Sequence, residues 1–220
     1  MTTPVEISVI SGTVLVRAAD ITQARVVKGD GSIDTEGVVH CRSTKSIEVE
    51  CPRGTDVFVG TKSGGVTCKG ELGAVRISTI SGSVHVESCR SAEVRTISGK
   101  VDIGRVDGDC KVRTVSAQVK IVAALTCDLS TKSGTVSVAA VRDATVHSAS
   151  GRAEVCCNAP GIVDIRTISG TIDVRYPRDF SPDVVAKTLH KVDDSLAQGV
   201  PKLGVVKVAS MSGRVKLHSG

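Results

Sequence analysis

TISGSVHV, Thr79 to Val86, returns as TISGKVDI at Thr96–Ile103, as TKSGTVSV at Thr131–Val138 and as TISGTIDV at Thr167–Val174. The Ser-Gly pair inside it recurs at Ser63, Ser81, Ser98, Ser133, Ser150 and Ser169, with Ser116-Ala117 in the one gap, at steps of 18, 17, 18, 17, 17 and 19 residues. So short and regular a period is the mark of a stacked repeat. Working back, Ser11-Gly12 lies 52 residues before Ser63, which leaves room for three coils, with turns expected at Asp30-Gly31 and Lys45-Ser46. Working forward, Ser212-Gly213 marks a last coil.

Each coil alternates. Six and four residues before the Ser come apolar pairs such as Val57/Val59, Val75/Ile77, Cys110/Val112 and Val163/Ile165, and two before it comes Thr or Ser (Thr61, Thr79, Thr96, Thr167). Past the turn come Val84/Val86, Val101/Ile103, Val119/Ile121 and Val215/Leu217, with Arg, Glu, Lys, Asp, Ser and His between them. Period two on both sides of a glycine turn means two half-buried strands per coil. One coil cannot bury its own apolar face, whereas stacked coils can. The chain is therefore expected to be all-β: a parallel β-solenoid of about eleven coils of 16–19 residues, forming a single domain over residues 1–220. The Thr row shares the parity of the buried rows, so each hydroxyl needs a partner on a neighbour or in the turn backbone.

Two regions depart from the pattern. In the second and third coils Lys28 replaces the Thr, and His40 and Arg42, or a one-residue shift to Val39 and Cys41, replace the apolar rows; irregularity is expected there. Residues 176–204 form an insertion. Ser181-Pro182-Asp183 reads as a helix start, Val185, Leu189, Val192 and Leu196 fall on one helix face, and Gly199 and Pro201 end it. An amphipathic helix covering the solenoid is expected.

Aromatics make up 1% of the chain, with no Trp, one Tyr and two Phe, so the core must be built from Val, Ile, Ala, Thr and Cys. The net charge of +5 is mild and spread along the chain; it gives no reason to expect a nucleic-acid partner. No run of 18 apolar residues occurs, so no membrane span is expected. Neither a signal peptide nor a transit segment is seen at the N-terminus. Eight cysteines without a C-x-x-C motif then read as reduced, buried small hydrophobes in an intracellular protein, cytoplasmic or inside an organelle. Cys51 with Cys68, and Cys110 with Cys127, are expected in shared rows of adjacent coils.

The four T-x-S-G-x-V-x-V segments resemble the adhesin-like β-solenoid domains of unknown function found widely in bacteria and in some eukaryotic proteins. The resemblance covers Val5 to Val174 and Val205 to Gly220. It implies the solenoid fold, and an adhesin-like module binding a glycan or surface ligand is the alternative function that it suggests.

Nothing in the residues composes an active site. The outward acids Glu93, Asp102, Asp128 and Asp164 do not repeat as a stacked pair, and the five histidines form no triad. Asp30, Ser32, Asp34 and Glu36 hint at calcium, but Thr35 stands where an EF-hand loop needs Gly, so solvated acids in a turn are expected. No cofactor or metal is expected. The reading is a non-catalytic structural or protein-interaction scaffold in a larger assembly, its partners being other proteins; it leaves the oligomeric state open. Outward positions on the first strands place Arg76, Arg95, Lys111 and Arg113 on one face as the candidate protein-contact surface.

Overall fold

A computed structural model describes residues 4–33, 39–43, 45–189 and 192–220. Regular structure among them is entirely β and mostly parallel, in solenoid-like ladders, and it divides into two compact units, Met1–Asp109 and Cys110–Gly220.

The first unit contains β1 (Val5–Ser11), β2 (Val14–Ala19), β3 (Arg25–Lys28), β4 (Gly31–Ile33), β5 (Val39–Ser43), β6 (Ile47–Pro52), β7 (Val57–Ser63), β8 (Val66–Ser81) and the start of β9 (Val84–Cys157). The expected ladders are present: Val57 pairs with Val75, Val59 with Ile77 and Thr61 with Thr79, and Val75, Ile77 and Thr79 pair in turn with Ala92, Val94 and Thr96. The order of the first strands is not the order of the chain. β1 lies directly against β7, with Val5 on Val57 and Ser11 on Ser63, and takes β5 on its other side. β2 likewise sits between β6 and β8. The coils expected between Ser11 and Ser63 therefore do not separate those residues. The turn at Lys45-Ser46 does join two strands of one coil, whereas Asp30-Gly31 does not: β3 and β4 run antiparallel to β6 and β5. With Arg25, Lys28 and Asp30 around a half-buried Val26, that stretch cannot fill a core layer, and it covers a sheet edge instead. The one-residue shift is the pairing adopted in β5, Val39 on Val5 and Cys41 on Ile7. Asp34, Thr35 and Glu36 of the calcium hint lie outside the described residues.

The second unit holds the rest of β9, then β10 (Ile162–Tyr176), β11 (Ser181–Thr188), β12 (Val192–Ser195) and β13 (Lys202–Ser219). Here the expected helix is corrected. The 176–204 insertion makes two strands, β11 parallel to the first half of β13 and β12 parallel to the second. Val184, Ala186 and Thr188 continue the rows of Val206, Val208 and Ser210 with period two. The apparent helix face dissolves accordingly: Val185 and Leu189 are exposed, while Leu196 is buried. Pro182, which has no N–H to give a ladder, falls where the pairing shifts between Ser181 and Asp183. As at the N-terminal end, the last strand in the chain is not the last in the ladder, for β13 lies between β10 and β11.

Within each unit the core is built from these rows. Val66, Ile77, Val84 and Val94 in the first unit, and Ile121, Val146, Ile165 and Leu217 in the second, are almost wholly buried, each contributing about 1.5–3 kcal/mol. Pairing also continues past the second strand, Glu71 on Ser88 and Leu72 on Cys89, and so adds Leu72, Cys89 and Val106 to the core as a further row. Most corner hydroxyls find the turn backbone: Thr79 Oγ1 donates to the Ser81 carbonyl at 3.4 Å and Thr131 Oγ1 to the Ser133 carbonyl at 2.8 Å.

Among the described residues no disulfide links the eight cysteines, and all but the half-buried Cys156 are buried. Cys51 and Cys68 do not share a row of adjacent coils. β2 intervenes, with Cys51 beside Ala18 and Cys68 beside Val16. Burial pushes the Cys68 and Cys89 thiols up to about 12, the opposite of what a nucleophilic or metal-binding thiolate requires.

Candidate functional site

The first strands present three outward rows, spaced by two along each strand and lying five, three and one residues before the corner Ser. Backbone groups are consumed by the ladders, so recognition on this surface falls to side chains.

In the first unit the outermost row reads His40, Glu6, Phe58, Arg76, Glu93 across β5, β1, β7, β8 and β9. Two of the sequence-predicted residues meet here. Arg76 Nε donates to Glu93 at 2.9 Å, and Arg95 reaches the other oxygen of the same carboxylate at 2.7 Å. The hydrogen bond from Arg95, with Arg76 adding to it, holds the Glu93 carboxyl below the usual carboxylate range against the opposing effect of burial. Arg76 also lies over the Phe58 ring, 5.5 Å from its centroid. One carboxylate thus fixes two guanidinium groups and leaves a net positive charge between them. These pairs are exposed, and their value is geometric more than energetic.

Arg76 and Phe58 also border a hollow of about 1090 Å³. Its floor follows the next row, Ser8, Gly60 and Ser78, where Gly60 leaves a gap between two hydroxyls. Glu6 and His40 close one side, 3.6 Å apart. Sequence reasoning missed this hollow. Phe58 was visible as an aromatic in an outward row, but the stacking that sets Ser8 beside Gly60, and Glu6 beside Phe58, was not.

In the second unit Lys111 stands 3.4 Å from Asp128, and Arg113 is exposed with no ion pair to a described carboxylate. Farther along the same outward rows come Asp164 and Arg166, joined by two hydrogen bonds of 3.1 and 2.8 Å. Those bonds, with His147 and Lys207 nearby, hold the Asp164 carboxyl below its ordinary range.

The row one residue before the Ser is mostly apolar in both units, interrupted by Lys62 in the first and Lys132 in the second, another feature the sequence reading passed over. Ile10, Ile80 and Ile97 in the first unit, and Val115, Ile168 and Met211 in the second, are exposed. The signal was the Ile of T-I-S-G, whose parity places it outside.

Among the described residues no group of three His, Cys, Asp or Glu could hold a metal ion, and no helix is long and apolar enough to cross a membrane. Over residues 3–218 the chain matches the family model of the Toastrack DUF4097 domain. No curated protein and no solved structure matches it.

Proposed function

Starting from the fact that this chain belongs to the Toastrack DUF4097 family, a repeat-like domain of unknown function, we propose that it is a non-catalytic protein-interaction scaffold within a larger intracellular assembly. One observation carries the reading: on the outer face of the first strands, guanidinium groups held by carboxylates run beside a row of exposed Ile, Val and Met. Arg and Met side chains over a rigid frame are the composition that protein interfaces favour. A guanidinium already oriented by Glu93 loses little freedom when it meets a partner's carboxylate. The test is capture of partners from native extract by the wild-type chain and by a double variant, Arg95→Glu with Arg113→Glu. Both residues are exposed, so the variant should melt within a few degrees of wild type. The expected result is loss of the main captured protein. Undiminished capture would remove this face from the proposal.

A second reading, an adhesin-like module for a glycan or other surface ligand, is favoured by the first-unit hollow, where an aromatic ring lies among hydroxyls, carboxylates and a guanidinium. A glycan array separates the two, with Phe58→Ala as the variant that should lose any glycan signal.

A further inference from the structure

The second unit carries a smaller hollow, of about 370 Å³, on the same outward rows. His147, Arg166, Ala209 and Lys187 stand side by side on β9, β10, β13 and β11. At about 4.8 Å per strand, Arg166 and Lys187 are roughly 9.6 Å apart at the backbone, with only the Ala209 methyl between them. Two residues farther along the strands, Ile168 and Met211 line the hollow, 57% and 63% exposed, and Leu189, one residue past the end of β11, is 81% exposed. Two residues the other way are Asp164 and Lys207. The charges do not balance: Arg166, Lys207 and Lys187 face Asp164, which Arg166 already holds. The hydroxyl of Ser210, which also lines the hollow, has no hydrogen-bond partner among the described residues, unlike those of Ser148 and Thr167 on the neighbouring strands.

We propose that this hollow is the docking site for an extended acidic–apolar segment of a partner protein, of the form Glu/Asp-x-Leu/Ile/Met/Val. The inference rests on the scaffold reading and names the chemistry of one partner. In an extended peptide lying along the strands, side chains i and i+2 fall on one face about 6.6–6.8 Å apart. That is the spacing between the row of Ala209 and the row of Met211. An acidic side chain at i enters above Ala209 between Arg166 and Lys187, and an apolar side chain at i+2 covers Ile168 and Met211. Nucleic acid is the poorer occupant, because the second unit's two large aromatics, Tyr176 and Phe180, are buried, which leaves the hollow a single imidazole, that of His147, to stack on a base.

Fluorescence anisotropy with labelled ten-residue peptides tests the proposal. The probe repeats Glu-Ser-Leu-Ser; the controls replace Glu with Lys, replace Leu with Ser, or place Glu and Leu at adjacent positions. Lys187→Glu should weaken binding of the probe at least tenfold, and Ala209→Gln, which fills the hollow, should do the same. Lys69→Glu, an exposed charge of the first unit, should leave it unchanged. Each control peptide should bind at least tenfold more weakly than the probe. Should Ala209→Gln fold poorly, Lys187→Glu on the exposed strand carries the test. Equal binding by Lys187→Glu, equal binding of the Lys peptide, or no binding of the probe overturns the proposal. So does Lys187-dependent binding of phosphatidylserine vesicles or oligothymidylate without a peptide preference, which would assign the face to lipid or nucleic acid. If native capture persists in Lys187→Glu, this site alone falls; if wild type captures nothing, the scaffold reading falls with it.

Discussion

At Gly82 the backbone has φ +148°, and a Cβ built there would run into the carbonyl oxygen of Gly64 on the neighbouring strand. Gly99 meets Gly82 in the same way, and in the second unit Gly151 meets Gly134 and Gly170 meets Gly151. Each corner glycine therefore answers to its neighbour's backbone as well as to its own φ. Gly54, at φ +73°, has nothing within 4 Å of its Cβ position. Gly54→Ala should cost about 1–2 kcal/mol, the conformational penalty alone, and Gly82→Ala clearly more, since a backbone atom must move. Urea melts of the two variants decide it, and equal costs would contradict the stacked corner. The thiols supply a second test at this scale. Unfolded thiols ionise near 9.0, whereas those of Cys68 and Cys89 do so near 12 in the fold. A raised folded-state pKa gives stability that is complete below the unfolded value and lost as pH climbs toward the folded one. The urea midpoint should accordingly show no thiol-linked change from pH 7 to 8.5 and fall above pH 9. All eight thiols should react in denaturant without reductant. A midpoint that rises above pH 9 would contradict the buried, reduced assignment.

Among the elements, β11 shows where a sequence pattern runs out. Val185, Leu189, Val192 and Leu196 satisfy a helix spacing, but Val184, Ala186 and Thr188 satisfy a strand spacing equally well, and β13 offers rows of Val206, Val208 and Ser210 to pair with. Tertiary pairing decides between two patterns that the local sequence leaves balanced. Val185→Asp with Leu189→Asp should therefore cost under about 1 kcal/mol, since both side chains face out. On a packed amphipathic helix the same pair would cost several kcal/mol. The alternation of Val75, Ile77, Thr79 and the Ser-Gly corner, by contrast, was legible, because most coils restate it and a one-residue slip would turn each buried side chain outward. The order of the strands was not legible. Layers of like composition stack on any like neighbour, so nothing in the interval from Ser11 to Ser63 reveals that β1 lies against β7.

At the scale of the whole chain, the face of each unit that combines charge with exposed apolar side chains is assembled from single residues in many strands. Arg76 and Arg95 could be read from the sequence as outward, but their capture by one Glu93 carboxylate could not, nor could the gaps that Gly60 and Ala209 leave. Those features depend on which strand lies next to which. A partner is expected to contact the outer face of the first strands in each unit. Lys62, Lys111, Lys132, Lys187 and Lys207 stand on that face, and Lys69, Lys100, Lys120 and Lys216 on the outer side of the second strands. The most direct measurement is acetylation footprinting of these lysines by mass spectrometry, free and in the complex captured from native extract. Protection within the first group and unchanged labelling in the second are expected; protection confined to Lys69, Lys100, Lys120 and Lys216 would contradict this contact surface.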